Sequence, residues 1–104
     1  MVKFLVQKAA SFRLDEIYRY SLSKWGSDAA KKYLEGMFKA FALIEQNKVS
    51  SRPIPSEFGI MGFFFQYKKH YVYWKYLSNG DIGIVTILHQ RMHQIEQFRD
   101  LKED

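Results

Sequence analysis

The sequence predicts a small α+β domain in which a helical hairpin covers one face of an antiparallel sheet. Apolar residues recur at helical spacing in the first half of the chain, whereas β-branched and aromatic residues dominate residues 62–94. The pair Asn79-Gly80 joins two of the aromatic runs, and such a pair is a strong hairpin signal. The expected order is therefore an N-terminal strand, a two-helix antiparallel hairpin, a three-stranded antiparallel meander and a short C-terminal helix.

Length and composition limit the classes of protein that the chain can represent. The 104 residues fit one domain spanning 1–104, and 47% hydrophobic residues supply a packed core. The absence of cysteine excludes a disulfide framework, a zinc–thiolate site and a cysteine nucleophile. Residues 1–6 are too short an apolar run for a signal peptide, and no stretch approaches the roughly 18 apolar residues of a membrane span. We expect a soluble cytoplasmic protein that does not contact a membrane.

The N-terminal half begins with a short strand over residues 2–6, which we expect at an edge of the sheet. A helix over residues 8–24 follows, because small and apolar side chains recur on one face. That face comprises Ala10, Leu14, Ile17 and Ser21. Gly26 ends this helix, since glycine is the residue that most readily leaves helical geometry.

The second helix is predicted over residues 29–47, with Ser27-Asp28 as its N-cap. One apolar stripe comprises Ala30, Leu34, Met37, Phe41 and Ile44, and a second row comprises Tyr33, Gly36, Ala40 and Leu43. The helix is therefore apolar around more of its circumference than a helix covered on one side needs. Two explanations remain open: the rows pack on the sheet and on the first helix, or an outer groove of the hairpin receives a helix from another protein.

The C-terminal half begins with a loop over residues 48–59, because two prolines and three serines interrupt both periodicities. Strands are predicted at about 62–68, 70–77 and 82–88. Residues 94–104 space their apolar side chains like a short amphipathic helix.

The turn at Asn79-Gly80 predicts a register for the last two strands. A two-residue type I′ loop needs positive φ at both residues. The resulting cross-strand pairs are Leu77 with Ile82, Trp74 with Val85, Val72 with Ile87, and His70 with His89. One face then carries His70, Val72, Trp74, Val85, Ile87 and His89, and the other carries Tyr71, Tyr73, Leu77, Ile82, Ile84 and Leu88.

Several stretches along nearly the whole chain occur together in one family. They are Lys24-Trp25-Gly26 between the helices, His70-Tyr71-Val72-Tyr73, and Ile84-Val85-Thr86-Ile87-Leu88-His89-Gln90-Arg91-Met92 at the end of the last strand. In this combination and order, the chain resembles the ParE toxins of bacterial type II toxin–antitoxin systems, within the RelE/ParE fold group. It departs from the family pattern at Phe63, where an arginine is often found, and at His93, where an aspartate is often found.

The resemblance implies a non-enzymatic toxin that binds DNA gyrase and traps it in its cleaved-DNA state. A ParD-like antitoxin would neutralise it by laying a helix on the helical hairpin and an extended segment along the sheet. The expected antitoxin contacts are Leu5, Tyr18, Trp25, Tyr33, Met37, Phe38 and Phe41. The expected gyrase contacts are Phe63, Lys68, Lys69, His70, His89, Arg91 and Met92.

We expect no catalytic residue, no cofactor and no metal. A basic recognition helix is not evident, so direct sequence-specific DNA binding is not expected. A site of His70, His89 and His93 can be drawn, but no carboxylate is placed to orient them and the last two span a strand end. Two functional alternatives remain: a ribosome-dependent mRNA endoribonuclease of RelE type, whose basic residues would stabilise a phosphate, and a degenerate toxin that only binds its antitoxin.

Overall fold

A computed structural model describes residues 3–46 and 50–102, with side chains as far as residue 98. Its five-stranded sheet has the order β1-β5-β4-β3-β2 and carries two helices on one face and a short third helix on the other. The elements are β1 (Phe4–Val6), α1 (Lys8–Trp25), α2 (Ser27–Glu45), β2 (Arg52–Pro53), β3 (Phe63–Tyr67), β4 (His70–Tyr76), β5 (Ile82–His89) and α3 (Gln94–Lys102). The predicted α+β class and element order are confirmed.

The two long helices bury the faces that their spacing predicts. In α1 the buried residues are Ala10, Leu14, Ile17 and Ser21. In α2 they are Ala30, Met37, Ala40, Phe41 and Ile44, so the second predicted row contributes Ala40 to the core. Glycine rather than a hydroxyl or carboxylate separates the helices: Gly26, at φ 93°, caps the end of α1 and the start of α2, and no side-chain cap bond forms. The predicted Ser27-Asp28 cap is wrong, since Ser27 is already helical.

The sheet has an edge strand at each side. β1 pairs in parallel with β5, from Phe4 opposite Ile82 to Val6 opposite Ile84, which confirms the predicted edge position. Residue 2 and residues 47–49 lie outside the described residues. The other edge is the two-residue strand β2, which pairs with β3, and a 3₁₀ turn follows it at Ser56–Phe58. Both short elements fall within the segment predicted as a loop.

The β4–β5 turn differs from the predicted type. Lys68 is the one non-glycine with positive φ among the described residues, so Asn79 does not have the conformation that a type I′ turn requires. Instead the Gly80 N–H donates to the Leu77 carbonyl (2.9 Å), and the Leu77 N–H donates to the Asp81 carbonyl (2.7 Å). This is a three-residue loop, in which a tight turn is followed by a left-handed glycine, here at φ 90°.

The longer loop shifts the register by one residue, and a β-bulge shifts it back. Trp74 pairs with Ile84 rather than with Val85, which is the extra residue of the bulge. Beyond the bulge the predicted pairs return, and His70 lies opposite His89. The faces predicted for the β5 residues between the turn and the bulge are wrong, because a one-residue shift exchanges the two sides of a strand. Ile82 and Ile84 therefore face the long helices, and Val85 faces α3.

The sheet separates two apolar cores. The main core joins α1 and α2 to the sheet through Phe41, Met37, Val72, Ile84 and Ile87, among others. The smaller core joins α3 to the other face, where Phe98 packs against Tyr73, Val85, Leu88 and Ile54. Within the described residues no helix combines the length and apolarity needed to cross a bilayer.

Candidate functional site

A cavity of about 640 Å³ lies where the C-terminal end of α1 and the start of α2 meet the ends of β4 and β5. We call it the basic cavity. Six of the seven predicted gyrase contacts line it: Lys68, Lys69, His70, His89, Arg91 and Met92. The structure thus gathers side chains from the β3–β4 turn, the first residue of β4 and the segment after β5 at one end of the sheet.

Phe63 does not line the basic cavity, unlike the other six predicted gyrase contacts. It begins β3, whereas Lys68 follows the end of that strand, so about 13 Å of strand separates the two positions. Its ring stacks on Trp74 with centroids 4.8 Å apart, in the part of the sheet that packs on the main core. The departure from the family arginine therefore lies away from the basic cavity.

The floor of the basic cavity is a chain of aromatic rings joined by polar contacts. The Tyr33 hydroxyl lies 2.6 Å from His70 Nδ1, and the rings of His70 and His89 meet edge to face with centroids 5.1 Å apart. His89 Nδ1 accepts a hydrogen bond from the Arg91 backbone N–H (3.1 Å), so the β5 histidine also fixes the start of the following turn.

Burial keeps two of these floor groups uncharged at neutral pH. It lowers the pKa of His70 to about 4, with a further contribution from the neighbouring charge of His89. It raises the pKa of Tyr33 to about 12, and the nearby Tyr67 adds to this increase. A neutral phenol and a neutral imidazole therefore share the hydrogen bond, and the positive charge of the site belongs to its rim.

Four cations form this rim, which we call the cation rim: Lys24, Lys68, Lys69 and Arg91. None of them is in a salt bridge within the described residues. The one carboxylate among the described residues that line the cavity is Glu16, and it is bound by Arg13 at 2.9 Å. Among the described side chains, four positive charges thus stand at one opening without a salt-bridge partner, which produces a positive potential there.

Exposed aromatic rings adjoin the cations at the α1 side of the opening. Lys24 Nζ donates to the Tyr20 hydroxyl (3.0 Å) and lies 5.7 Å from the centre of the Trp25 ring. The two rings are themselves in edge-to-face contact, with centroids 5.8 Å apart. The hydrogen bond and charge of Lys24 lower the pKa of Tyr20, and the charges of Lys69 and Arg91 lower it further. The α1 and sheet sides of the opening are therefore within electrostatic reach of each other.

The opposite side of the opening is arranged by the β3–β4 turn. Lys68 adopts a left-handed conformation at φ 52°, and its ammonium lies 5.4 Å from the centre of the Tyr33 ring and 5.6 Å from that of Tyr67. Cation–π attraction of this kind holds an ammonium over a ring without removing its charge. The turn thereby directs one lysine across the cavity floor.

Three glutamines hold this end together, and none of them is among the predicted site residues. The Gln90 backbone N–H donates to the Lys69 carbonyl (2.8 Å), and the Gln66 amide donates to the Lys68 carbonyl (2.8 Å) and to the Gln90 side chain (3.1 Å). The Gln94 amide donates to the carbonyls of His89 and Met92, both at 2.9 Å. No sequence pattern marks the bonds of Gln66 to Gln90 and of Gln90 to Lys69, because these bonds join segments that meet only in the folded chain.

A second surface lies on the outer side of the helical hairpin, and we call it the hairpin groove. It is a shallow apolar groove whose lining includes Tyr18, Phe38, Leu34 and Phe4. The charged residues Lys31, Glu35 and Lys39 of α2 also line it. Two predicted antitoxin contacts, Tyr18 and Phe38, thus lie together here. A third, Leu5, is 52% exposed on the edge strand β1.

The other predicted antitoxin contacts lie elsewhere. Met37 and Phe41 are both 0% exposed in the main core, so their side chains support the groove from beneath and cannot touch a partner. Trp25 and Tyr33 line the basic cavity rather than the hairpin groove. Helical spacing placed Tyr33, Met37 and Phe41 on apolar faces, but it does not distinguish a buried face from an open one.

The described residues contain no group of three or more histidine, cysteine, aspartate or glutamate side chains able to hold a metal ion. His93 lies 4.0 Å from Glu96 of α3 and is mostly exposed. It does not line the basic cavity with His70 and His89.

Residues 5–94 match the family described as the ParE toxin of the type II toxin–antitoxin system, parDE. The chain belongs to the ParE toxin family. Two relatives, both called Toxin ParE1, come from Mycobacterium tuberculosis strains CDC 1551 / Oshkosh and ATCC 25618 / H37Rv. Each is 28% identical over 95 residues, which cover 86% of this chain and 91% of the relative.

A solved structure of the chromosomal ParDE TA system from P. aeruginosa shares the fold. It aligns with a TM-score of 0.69 at 18% identity, covering 86% of this chain and 96% of that one. This ParE-family chain is accordingly a toxin of a type II toxin–antitoxin system, and both the basic cavity and the hairpin groove lie on its ParE-like fold.

Proposed function

We propose that the toxin inhibits DNA gyrase by binding the gyrase–DNA complex through its basic cavity, and that a ParD-like antitoxin keeps the toxin inactive. The observation that carries the effector half is the cation rim, in which four positive charges share one opening without salt-bridge partners in the described residues. A surface of this kind attracts phosphate and acidic protein surfaces over long range.

The chemistry of the cavity floor favours binding over strand cleavage. A general base works best with a pKa near the working pH, whereas burial holds the pKa of His70 at about 4. Tyr33, with a pKa of about 12, keeps its proton and shares it with His70. This central pair is therefore poorly suited to activating a ribose hydroxyl, and the proposal is inhibition by binding.

The hairpin groove and the β1 edge suit an antitoxin segment. Tyr18, Leu34 and Phe38 offer an apolar surface for an amphipathic helix. Two lining lysines, Lys31 and Lys39, stand against one lining carboxylate, Glu35, so the balance of charge favours acidic residues on the flanks of that helix. Among the described strands β1 pairs with β5 alone, so its outer edge offers unpaired backbone groups to an added strand. A helix followed by an extended segment would use both surfaces.

A supercoiling and cleavage assay with purified gyrase tests the effector half. The expected result is loss of supercoiling together with accumulation of covalent gyrase–DNA cleavage complexes at micromolar toxin, both reversed by the antitoxin. A parallel translation extract, in which transcripts are followed by primer extension, tests the ribonuclease alternative. Cut transcripts without trapped gyrase would reject the proposal, and inactivity in both assays with intact antitoxin binding would identify a degenerate toxin.

The antitoxin half is tested by titration calorimetry with the antitoxin encoded beside the toxin. The variant Tyr18→Ala/Phe38→Ala should bind at least tenfold more weakly, because large anchors in an apolar groove dominate such interfaces. The matched control is Tyr20→Ala, which removes an exposed aromatic ring at the basic cavity and should leave the affinity within about threefold. Equal losses of antitoxin affinity in the two variants would indicate that the antitoxin does not bind in the hairpin groove.

A further inference from the structure

The basic cavity combines two kinds of side chain that nucleic-acid-binding proteins place together. The cation rim supplies charge that no described carboxylate pairs with, and Tyr20 and Trp25 supply exposed rings at 57% and 59% exposure. Cations that follow a phosphate backbone and aromatic rings that stack with unpaired bases are the two components of single-strand recognition.

We propose that the basic cavity binds a short unpaired segment of single-stranded nucleic acid without sequence preference. Phosphates contact the sheet-side cations Lys68, Lys69 and Arg91, and a base stacks on the Tyr20–Trp25 pair across the opening. The inference rests on the proposed function for its setting, since gyrase-bound cleaved DNA presents strand ends, but its chemistry rests on the cavity alone.

The positions of the cations support a strand rather than a duplex. Lys24 lies beside both rings, bonded to the Tyr20 hydroxyl and 5.7 Å from the centre of the Trp25 ring, so the charge and the stacking surface occupy one corner. Lys68 lies over the cavity floor, and its turn is tied to Gln66 and Gln90. A cavity of about 640 Å³ accepts an extruded nucleotide, whereas the described surface offers no projecting basic helix for a duplex groove.

The two tryptophans make the test direct. Trp25 is exposed at the cavity, whereas Trp74 is 5% exposed in the main core and its indole N–H donates to Ser51. Titration with an oligothymidine of about twelve nucleotides should therefore quench Trp25 fluorescence and leave the Trp74 emission unchanged. Half-saturation is expected within about 10⁻⁴ to 10⁻⁶ M, and the plot of log affinity against log salt should have a slope of about −2 to −3 for three or four phosphate contacts.

Two double variants that each lose two positive charges distinguish binding at the basic cavity from nonspecific electrostatic attraction to the whole protein. Lys68→Ala/Lys69→Ala should weaken binding at least tenfold at about 50 mM salt and reduce the salt slope by about 1.4. Lys31→Ala/Lys39→Ala removes two charges from the hairpin groove and should change the affinity less than threefold. Anisotropy of a labelled oligonucleotide gives the same comparison independently of fluorescence quenching, and circular dichroism verifies that each variant is folded.

Equal weakening by the two variants, absence of Trp25 quenching, or equally tight binding of a duplex of the same length would overturn the inference. Oligouridine and oligothymidine are compared in parallel: a preference for either assigns the site to transcripts or to DNA, and equal affinity assigns it to the shared phosphate and base. The titration contains no gyrase. Gyrase inhibition without oligonucleotide binding would therefore refute this inference alone. Oligonucleotide binding without gyrase inhibition would refute only the proposed function.

Discussion

Acidification should destabilise the protein through His70. Burial lowers the pKa of this imidazole from 6.5 to about 4. Between pH 6.5 and about pH 4, the unfolded chain therefore binds a proton at His70 that the folded chain does not bind. Stability from this group is therefore complete above about pH 6.5 and is lost as the pH falls towards 4. The shift corresponds at most to about 3.4 kcal/mol at 1.36 kcal/mol per pKa unit. Because His70 is only half-buried, solvent screening reduces the expected loss to about 1–2 kcal/mol.

Urea unfolding of the wild type and of His70→Gln at about pH 7.5 and about pH 4.5 measures this loss. Glutamine does not titrate and can still bond to the Tyr33 hydroxyl, so the variant should lose about 1–2 kcal/mol less than the wild type over this range. His93→Gln, which alters a mostly exposed histidine, is the matched control and should follow the wild type. If the wild type and His70→Gln differ by the same free energy at both pH values, His70 is not held neutral by the fold.

Three further predictions concern core packing, a buried hydrogen bond and the backbone conformation between the helices. Phe41→Ala should lower the free energy of unfolding by about 3–5 kcal/mol through the cavity it leaves, whereas Phe38→Ala, at a partly exposed ring, should cost under about 1 kcal/mol in the same urea titration. Tyr73→Phe removes the hydroxyl that donates to Gln94 Oε1 at 2.7 Å; it should cost about 1 kcal/mol and speed amide exchange in α3. Gly26→Ala should cost about 1–3 kcal/mol by denaturation, because φ 93° strains any residue with a Cβ although no atom lies near it.

Local patterns predicted the helices well because helical spacing and burial have the same physical origin. The four residues expected to face inward from α1 are the four that are buried, and the positions of the strands follow from their aromatic and β-branched content. The facing histidines were also predicted, but for an incomplete reason. A longer turn and the bulge at Val85 each shift the register by one, and the two shifts cancel before His70.

The sites were harder to predict because they depend on which surfaces remain uncovered. Met37 and Phe38 are neighbours in sequence and equally apolar, yet one is fully buried and the other is partly exposed at a groove. Trp25 joins the basic cavity only because the end of α1 reaches the end of the sheet. Phe63 is five residues from Lys68, but an extended strand carries it to the other end of the sheet. Such separations follow from tertiary packing, which spacing along the chain does not encode.

We propose that the basic cavity acts on gyrase while the hairpin groove binds the antitoxin. The most direct measurement is a cross-comparison of two variants in gyrase cleavage and antitoxin-binding assays. Lys68→Ala/Lys69→Ala should lose at least tenfold in trapped cleavage complexes and keep its antitoxin affinity, whereas Tyr18→Ala/Phe38→Ala should do the reverse. If either variant loses both activities while remaining folded, the two surfaces are not separate and the account is contradicted.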